Sequence, residues 1–250
     1  MKITGIIPAR YASTRFPGKP LIDIGGKSMI QRVYDQVSKS ELLSAVIVAT
    51  DDQRIFDHVS AFGGSAQMTS SDHQSGTDRC AEVALKLPDS DVFINIQGDE
   101  PFIDPKQIDL LCRCFEQQDV HLATLIKQIT TYSELTNNNT PKVVINNLNE
   151  AIYFSRTPIP FLRNHELKEW LNHRLYYKHI GIYGYRKETL KQITSLPVSD
   201  LEKAEALEQL RWIENGLRIK VAVTDVESIA IDTPQDLEKA LASINLASYS

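Results

Sequence analysis

Cysteine is scarce in this sequence, and its distribution argues against two classes of protein. The chain has only three cysteines, Cys80, Cys112 and Cys114. An odd number without the paired spacing of a zinc site argues against a disulfide framework and against a zinc module, and it favours a reducing compartment. We interpret all three as packing residues.

Long hydrophobic runs are also missing. A helix that crosses a bilayer needs about 20 apolar residues, and the longest apolar runs here are far shorter. The N-terminus enters a strand-like run at residue 3 without the basic region, apolar stretch and cleavage site of a secretory signal. We therefore expect a soluble, cytoplasmic protein that does not insert into a membrane.

Positive charge is not in excess. The hydrophobic content is 42%, the charged content is 24% and the net charge is -5. These values are ordinary for a globular protein, so general attraction to nucleic acid is not expected. Any anion site must therefore be built from local groups. The length of 250 residues suits one large domain, which we predict over residues 1–250.

Short apolar runs alternate with amphipathic segments through the first half of the chain. This alternation predicts an α/β fold with a mainly parallel sheet in a three-layer α/β/α, Rossmann-like arrangement. The predicted strands cover residues 3–7, 45–49, 92–96 and 122–126, and the predicted helices cover residues 29–38, 53–62, 78–87 and 105–115.

The pattern changes at about residue 141. From there to about residue 185, strand-like stretches separated by polar loops predict a small β-rich lobe. Helical periodicity then predicts one helix over residues 201–214, followed by a strand over residues 219–223 and a last helix after Pro234.

Polar segments follow three of the predicted strands: the loop after residue 7, the turn at residues 50–52, and residues 97–101. Ligands of a parallel sheet bind beyond the carboxyl ends of its strands. The three segments are therefore expected to lie together at one edge of the sheet and to form a binding site.

The loop after the first strand is basic. It contains Arg10, Arg15 and Lys19 together with two hydroxyl groups and Gly18. Arginine forks and lysine bind phosphate oxygens, and glycine lets backbone amides approach, so the loop suits a triphosphate. Its spacing is not that of a P-loop. By its charges alone, the loop fits a solvated turn better.

The order of residues in this loop is more informative than its charges. Residues 8–21, PARYASTRFPGKPL, resemble the loop of sugar nucleotidyltransferases and are similar in particular to that of 3-deoxy-manno-octulosonate (Kdo) cytidylyltransferases, also called CMP-Kdo synthetases. Six more segments look like blocks of that family, in its order: residues 72–79, 95–101, 153–156, 179–186, 207–211 and 232–234. Chance agreement at six blocks is implausible.

This resemblance implies a CTP site and a magnesium site. The residues expected to hold CTP are Ala9, Arg10, Ser13, Arg15, Lys19, Ser75, Thr77 and Arg79. Asp99 and Asp232 are expected to hold Mg²⁺, which takes hard oxygen ligands and usually one or two protein carboxylates. From the residues alone, the hydroxyl groups of the second segment also fit an ordinary helix cap, and each aspartate fits a cap or a surface charge.

The resemblance also implies a pocket for an acidic 2-keto sugar. Arg156 can place its fork on a carboxylate, and the other residues expected to exchange hydrogen bonds with sugar hydroxyls are Gln97, His179, Tyr183, Glu208 and Gln209. For His179 a purely structural role is about as well supported, and Tyr183 on an alternating strand fits packing equally well.

The reaction implied is transfer of CMP from CTP to Kdo, giving CMP-Kdo and pyrophosphate for lipopolysaccharide biosynthesis. Arg10, Lys19, Asp99 and Asp232 are the expected catalytic residues, and no side-chain general base is identified. The family also implies a homodimer. Two alternatives stay open: a cytidylyltransferase for 8-amino-Kdo or an acylneuraminate, and a non-catalytic nucleotide-binding protein that keeps the fold.

Overall fold

The computed structural model describes residues 1–12, 16–227, 230–231, 233–238 and 241. Three predicted site residues, Ser13, Arg15 and Asp232, lie outside the described residues. The chain divides into two compact units, one formed by residues 1–112 with the described residues after 227, and the other by residues 113–227.

The first unit is built on a parallel sheet. Its elements are β1 (Ile3–Ala9), α1 (Met29–Val37), β2 (Ala45–Thr50), α2 (Gln53–Ala61), β3 (Ala66–Met68), α3 (Gly76–Leu85), β4 (Val92–Asn95) and α4 (Pro105–Arg113). The strands lie in the order β3-β2-β1-β4, and every pair within this unit is parallel. The predicted α/β class is confirmed here.

Burial in this sheet follows from its sequence. All four residues of β4 and six of the seven residues of β1 are buried. Because successive side chains of a strand point to opposite faces, burial of consecutive residues means that both faces are covered. The near-continuous apolar runs that predicted these strands are thus the mark of a sheet with two buried faces. The three-residue strand β3 has no such run and was not predicted.

The second unit contains a mixed sheet. Its elements are β5 (Leu122–Gln128), α5 (Tyr132–Thr136), β6 (Lys142–Ile145), β7 (Ala151–Ser155), α6 (Trp170–His173), β8 (Tyr177–Arg186), α7 (Lys187–Thr194), α8 (Asp200–Glu205), α9 (Gln209–Glu214) and β9 (Lys220–Val223). Strand β5 pairs with β8 antiparallel and with β9 parallel, and β6 pairs antiparallel with β7 and β8. The strands predicted between residues 141 and 185 correspond to β6, β7 and β8.

The prediction of one helix over residues 201–214 is wrong. Helix α8 ends at Glu205, Ala206 takes the left-handed conformation with φ 49°, and α9 begins at Gln209. A left-handed residue cannot continue a right-handed helix. The apolar spacing persists across the break, which is why periodicity did not reveal it.

At the end of the chain, residues 234–238 are helical, in agreement with the predicted last helix. None of the helices in the described ranges has both the length and the hydropathy required to span a membrane.

Gly98 is the residue that lets the segment after β4 approach β1. A Cβ atom at this position would lie 2.7 Å from the carbonyl oxygen of Pro8, closer than real Cβ contacts come. Because the obstacle is backbone, no side-chain rotation relieves it. Only glycine fits, and the adjacent Asp99 is thereby held beside the end of β1.

Gly98→Ala is expected to lower the free energy of unfolding by about 1 to 3 kcal/mol, because overpacking against backbone forces the main chain to shift. Gly76→Ala is the matched control: its Cβ atom would meet the Pro8 side chain at an ordinary 3.4 Å. Urea titrations of both variants measure the difference. Equal midpoints for Gly98→Ala and Gly76→Ala would contradict the role given to Gly98.

Candidate active site

The three polar segments predicted to converge do so at the carboxyl edge of the parallel sheet. Ala9 is in register with Thr50, the last residue of β2. The Ile96 N–H donates to the Ile6 carbonyl at 2.9 Å, which extends the pairing of β4 with β1. Gly98 follows against the Pro8 carbonyl. The ends of β1, β2 and β4 therefore border one site.

The basic loop is closed at its base by a backbone hydrogen bond. Gly18 has φ 70°, a left-handed conformation that glycine adopts readily. Its N–H donates to the Tyr11 carbonyl at 3.0 Å. The Tyr11 ring lies 3.3 Å from the Arg54 guanidinium carbon, measured to the ring centroid. The described end of the loop is thus tied to α2.

Arg54 is itself held by Asp52, the residue that caps α2. The guanidinium donates to both carboxylate oxygens of Asp52, at 2.9 and 2.6 Å. This hydrogen bond is the main cause that lowers the pKa of Asp52. Sequence reasoning missed Tyr11 and Arg54, because a contact between an aromatic ring and a cation on different elements has no local spacing.

Lys19 and Asp99 form an ion pair at this edge. Lys19 Nζ donates to Asp99 Oδ2 at 2.7 Å, and the two side chains are 16% and 25% exposed. Arg10 is exposed and makes no hydrogen bond or ion pair with the residues that the structure describes. Of these two described cations, one is therefore on a carboxylate and the other is exposed to solvent.

Asp99 fits a magnesium site by its chemistry. Among the described residues no group of three or more metal-binding side chains occurs, but Mg²⁺ needs only one or two protein carboxylates when phosphates and water complete its shell. The Ile231 N–H donates to the Asp99 carbonyl at 2.9 Å, and Ile231 is buried against Ile24 and Met29. Residue 231 is thus fixed at Asp99, and Asp232 is the next residue in the sequence.

Ser75 caps α3. Its Oγ accepts from the Asp78 N–H at 3.1 Å, while Asp78 Oδ2 accepts from the Ser75 N–H at 3.1 Å, so the two residues form a capping box. The hydroxyl also donates to Asp78 at 2.9 Å. The helix-cap alternative is therefore present for Ser75, and its contact with CTP stays a prediction.

Arg79 is buried, with 1% of its surface exposed. Its guanidinium donates to the Thr69 hydroxyl and to Asp51 Oδ2, the latter at 3.1 Å. These bonds fasten the turn after β2 and the end of β3 to α3. Thr77, on the same helix, is also buried at 3%. The structure gives Arg79 a bracing position, and a direct contact with CTP stays a prediction.

In the second unit, His179, Tyr183 and Glu208 lie close together. The rings of His179 and Tyr183 have centroids 5.1 Å apart, and the Phe154 ring stands edge-on to His179 at 5.2 Å. Loss of solvent lowers the pKa of His179 to about 3. The imidazole is therefore neutral at physiological pH. Burial raises the pKa of Tyr183 well above its ordinary value, with smaller contributions from Tyr185 and from the charge of Glu208.

Tyr183 and Gln209 carry polar atoms that lack partners in the part of the chain that the structure describes. The side chains are 8% and 4% exposed. Tyr183 Oη and Gln209 Nε2 have no hydrogen-bond partner among the described residues, and neither has Nε1 of the buried Trp212. A buried polar group left unpaired costs about 1 to 3 kcal/mol. Such atoms are typical of a site whose ligand supplies the missing partner.

Trp212 was missed by sequence reasoning. Its ring stands edge-on to Tyr183, with centroids 5.0 Å apart, and it follows Gln209 by three residues on α9. Residues three apart lie on one face of a helix. That spacing is a signal that links Trp212 to Gln209, but it equally fits a core tryptophan.

Arg156 acts as a brace. Its three guanidinium nitrogens donate to the carbonyl oxygens of Glu205, Asn138 and Ala206 at 2.5, 3.1 and 3.0 Å. A guanidinium has five N–H donors, so two remain for another acceptor. The predicted contact with a sugar carboxylate stays a prediction. The structure shows that Arg156 fixes the turn between α8 and α9, next to Glu208 and Gln209.

Lys142 strengthens this brace. Its side chain is fully buried, and its ammonium donates to the carbonyl oxygens of Asn137, Thr140 and Arg156, each at 2.8 Å. Desolvation lowers the pKa of Lys142. Sequence reasoning missed it because a lysine side chain that donates to backbone carbonyl groups has no characteristic spacing.

Comparison with known proteins identifies the family. The cytidylyltransferase family model matches residues 4–219. A 3-deoxy-manno-octulosonate cytidylyltransferase of Parabacteroides distasonis is 58% identical over 247 residues, which are 97% of this chain and 98% of that protein. The chain belongs to the 3-deoxy-manno-octulosonate cytidylyltransferase family. A relative of the same name from Bacteroides thetaiotaomicron is 58% identical over 96% of this chain and 97% of its own length.

Solved structures agree with membership of the Kdo cytidylyltransferase family. A CMP:2-keto-3-deoxy-manno-octonic acid synthetase complexed with CTP matches with a TM-score of 0.92 and 43% identity, over 99% of this chain and 100% of that one. A 4-diphosphocytidyl-2C-methyl-D-erythritol synthase from Anaerococcus prevotii, 16% identical with a TM-score of 0.62, shares the fold. The family resemblance drawn from the sequence is confirmed.

The desolvated, neutral ring of His179 generates a prediction about acid stability. The unfolded chain binds a proton near pH 6.5, the ordinary pKa, whereas the folded chain binds it only near pH 3. Stability from the neutral ring is therefore complete above about pH 6.5 and is lost as the pH falls toward 3. In His179→Gln the slope of unfolding free energy against pH, measured by urea titration between about pH 4 and 6, is expected to fall by about one proton. Equal slopes in the two proteins would contradict a desolvated neutral ring.

Proposed function

We propose that this chain transfers CMP from CTP to Kdo and releases pyrophosphate. The observation that carries the proposal is the likeness over the whole chain to a synthetase solved with CTP. Relatives of 58% identity have the matching name. The cations and the carboxylate at the carboxyl edge of the first unit are the groups that such a reaction needs.

The first unit would bind the nucleotide. Arg10 is exposed and directed to solvent, and Lys19 is already at the site on Asp99. These two cations, with Arg15, are assigned to the triphosphate and to the departing pyrophosphate. Arg79 would act indirectly, because its guanidinium holds Asp51 and Thr69 in place. The N-terminal turn of α3 at Ser75 and Thr77 supplies backbone N–H groups that favour an anion.

Asp99 and Asp232 are the residues assigned to Mg²⁺. The assignment is supported by the half-buried carboxylate of Asp99 and by the backbone bond from Ile231 to Asp99. When bound, Mg²⁺ would neutralise phosphate oxygens of CTP and lower the pKa of the attacking hydroxyl. Lys19 would remain close enough to serve the same phosphates, because it contacts Asp99 directly.

The second unit would bind the acidic sugar. The unpaired atoms Tyr183 Oη and Gln209 Nε2 and the neutral imidazole of His179 offer directional hydrogen bonds to hydroxyl groups. Glu208 precedes Gln209, and Arg156 retains two N–H donors for a carboxylate. Gln97 is also assigned to the sugar on the strength of the family resemblance.

The reaction is an in-line displacement at phosphorus. The C2 hydroxyl of the sugar loses its proton to solvent as its oxygen attacks the α-phosphorus of CTP. A new oxygen–phosphorus bond forms, and the bond between the α-phosphorus and the oxygen bridging to the β-phosphorus breaks. Pyrophosphate leaves with the electron pair. Such transfers depend mainly on positioning and on neutralising charge, which fits a site rich in fixed cations. No side chain of the described residues is assigned as a general base.

We also propose that the chain is a homodimer, on the strength of the family resemblance. Sedimentation analysis at micromolar concentration tests this, and a monomer would refute it.

Asp99→Asn is expected to reduce turnover by at least about 100-fold, because the amide loses the charge that attracts the metal and pairs with Lys19. Asp232→Asn should behave alike. Asp89→Asn, at an exposed aspartate outside the site, is the matched control. Pyrophosphate release is measured against Mg²⁺ concentration, with circular dichroism to check folding. Near-normal turnover in both site variants would refute the metal assignment.

A panel of acceptor sugars tests the substrate. With CTP and Mg²⁺, Kdo is expected to give the highest kcat/KM, ahead of 8-amino-Kdo and N-acetylneuraminate, and CTP is expected to exceed the other nucleoside triphosphates. Preferential turnover of N-acetylneuraminate would overturn the choice of sugar while leaving the nucleotide assignment intact. Absence of turnover with every sugar would favour a non-catalytic nucleotide-binding protein.

A further inference from the structure

Thr124 has an unusual set of neighbours in the second unit. It is fully buried on β5, at the point where the register with β8 shifts. Thr124 pairs with Tyr183 and the next residue pairs with Ile180, so the register skips residues 181 and 182. The Thr124 hydroxyl lies 2.7 Å from the Ile182 carbonyl oxygen, 3.2 Å from the Ile180 carbonyl oxygen and 2.9 Å from His179 Nε2.

The position of the protons on these groups follows from their chemistry. A carbonyl oxygen can only accept, and a hydroxyl has one hydrogen to give. Because the Thr124 and Ile182 oxygens are only 2.7 Å apart, the hydroxyl hydrogen must lie between them. Thr124 therefore has no hydrogen left for His179, and the 2.9 Å contact is a bond only if His179 Nε2 carries the hydrogen and donates it.

The neutral state of the His179 ring completes the assignment of its hydrogen. The Phe154 and Tyr183 rings border the imidazole, and loss of solvent lowers the pKa of His179 to about 3. A neutral ring carries one hydrogen, so Nδ1 holds a lone pair. No described residue donates to Nδ1. The ring thus presents one fixed acceptor on the side away from Thr124.

We propose that Thr124 is a positioning residue that holds His179 in the Nε2–H tautomer, so that Nδ1 accepts a hydrogen bond from a hydroxyl of the acceptor sugar. The identity of the donor rests on the proposed function; the tautomer does not. A fixed lone pair attracts a hydroxyl and repels a carboxylate or phosphate oxygen. Thr124 therefore contributes to selection of a polyhydroxyl group at this point without touching the substrate.

A valine at position 124 fills nearly the same volume, so packing alone does not require threonine. What valine lacks is the hydroxyl that accepts the Nε2 hydrogen and donates to the Ile182 carbonyl. This difference allows a direct test with Thr124→Val, with Thr124→Ser as the conservative variant that keeps the hydroxyl. Thr4→Val is the matched control, because Thr4 is also a buried strand threonine, and among the described residues its hydroxyl bonds only Ser90.

The tautomer is read by nitrogen NMR on the full-length protein with labelled histidine. The chain has six histidines, and the His179 signals are identified by their loss in His179→Gln. Wild type and Thr124→Ser are expected to show Nε2 as the protonated, pyrrole-type nitrogen and Nδ1 as the pyridine-type nitrogen. In Thr124→Val both signals should move toward intermediate values. An unchanged His179 pattern in folded Thr124→Val, or Nδ1 as the protonated nitrogen in wild type, overturns the proposal.

Steady-state kinetics test the consequence for the sugar. Loss of one oriented hydrogen bond is expected to raise the KM for Kdo about tenfold in Thr124→Val, with the KM for CTP unchanged and Thr124→Ser near wild type. Thr4→Val should leave both constants unchanged. An equal rise of both KM values in Thr124→Val would indicate a general structural defect and would overturn the role in selection. If the wild type fails to use any sugar, the proposed function fails, and the NMR result still decides the tautomer.

Discussion

The close approach of two backbone segments is the constraint on which the candidate site of the first unit depends. Gly98 lies so near the Pro8 carbonyl that no Cβ atom fits between them. That approach brings Asp99 to the end of β1, where the described end of the basic loop delivers Lys19 to its carboxylate. The same segment receives the chain again at Ile231. The absence of a side chain at Gly98 thus allows the Lys19 ammonium, the Asp99 carboxylate and the backbone of Ile231 to lie together.

The second unit reaches its arrangement by a different route. Hydrogen bonds hold its polar side chains in place, and particular polar atoms have no partner among the described residues. Arg156 joins the turn that precedes Gln209 to the Asn138 carbonyl, and Lys142 holds the backbone of Arg156 itself. Tyr183 and Gln209 then present buried atoms without partners among the described residues. Burying these unpaired atoms lowers the stability of the unit, as is common at sites where a ligand supplies the missing partners.

Much of this was accessible from the sequence, and the failures have physical causes. Buried parallel strands are recognisable in the sequence as apolar runs. The segments that resemble the family pointed to Asp99, His179 and Gln209. Periodicity did not reveal the break between α8 and α9, because the two helices share a spacing while Ala206 alone changes conformation. It also could not assign bonding partners. The brace formed by Arg156 depends on residues that only folding brings together, whereas the Ser75 cap uses Asp78, three residues away, and the sequence already offered it as an alternative.

The ion pair between Lys19 and Asp99 also bears on how charged ligands enter. The pair is neutral as it stands. An ammonium that turns to a phosphate leaves Asp99 negative beside a negative nucleotide, and the two repel each other. A cation that joins Asp99 removes that repulsion. Nucleotide and cation are therefore expected to bind cooperatively, each raising the affinity for the other by the same factor, since linkage is reciprocal.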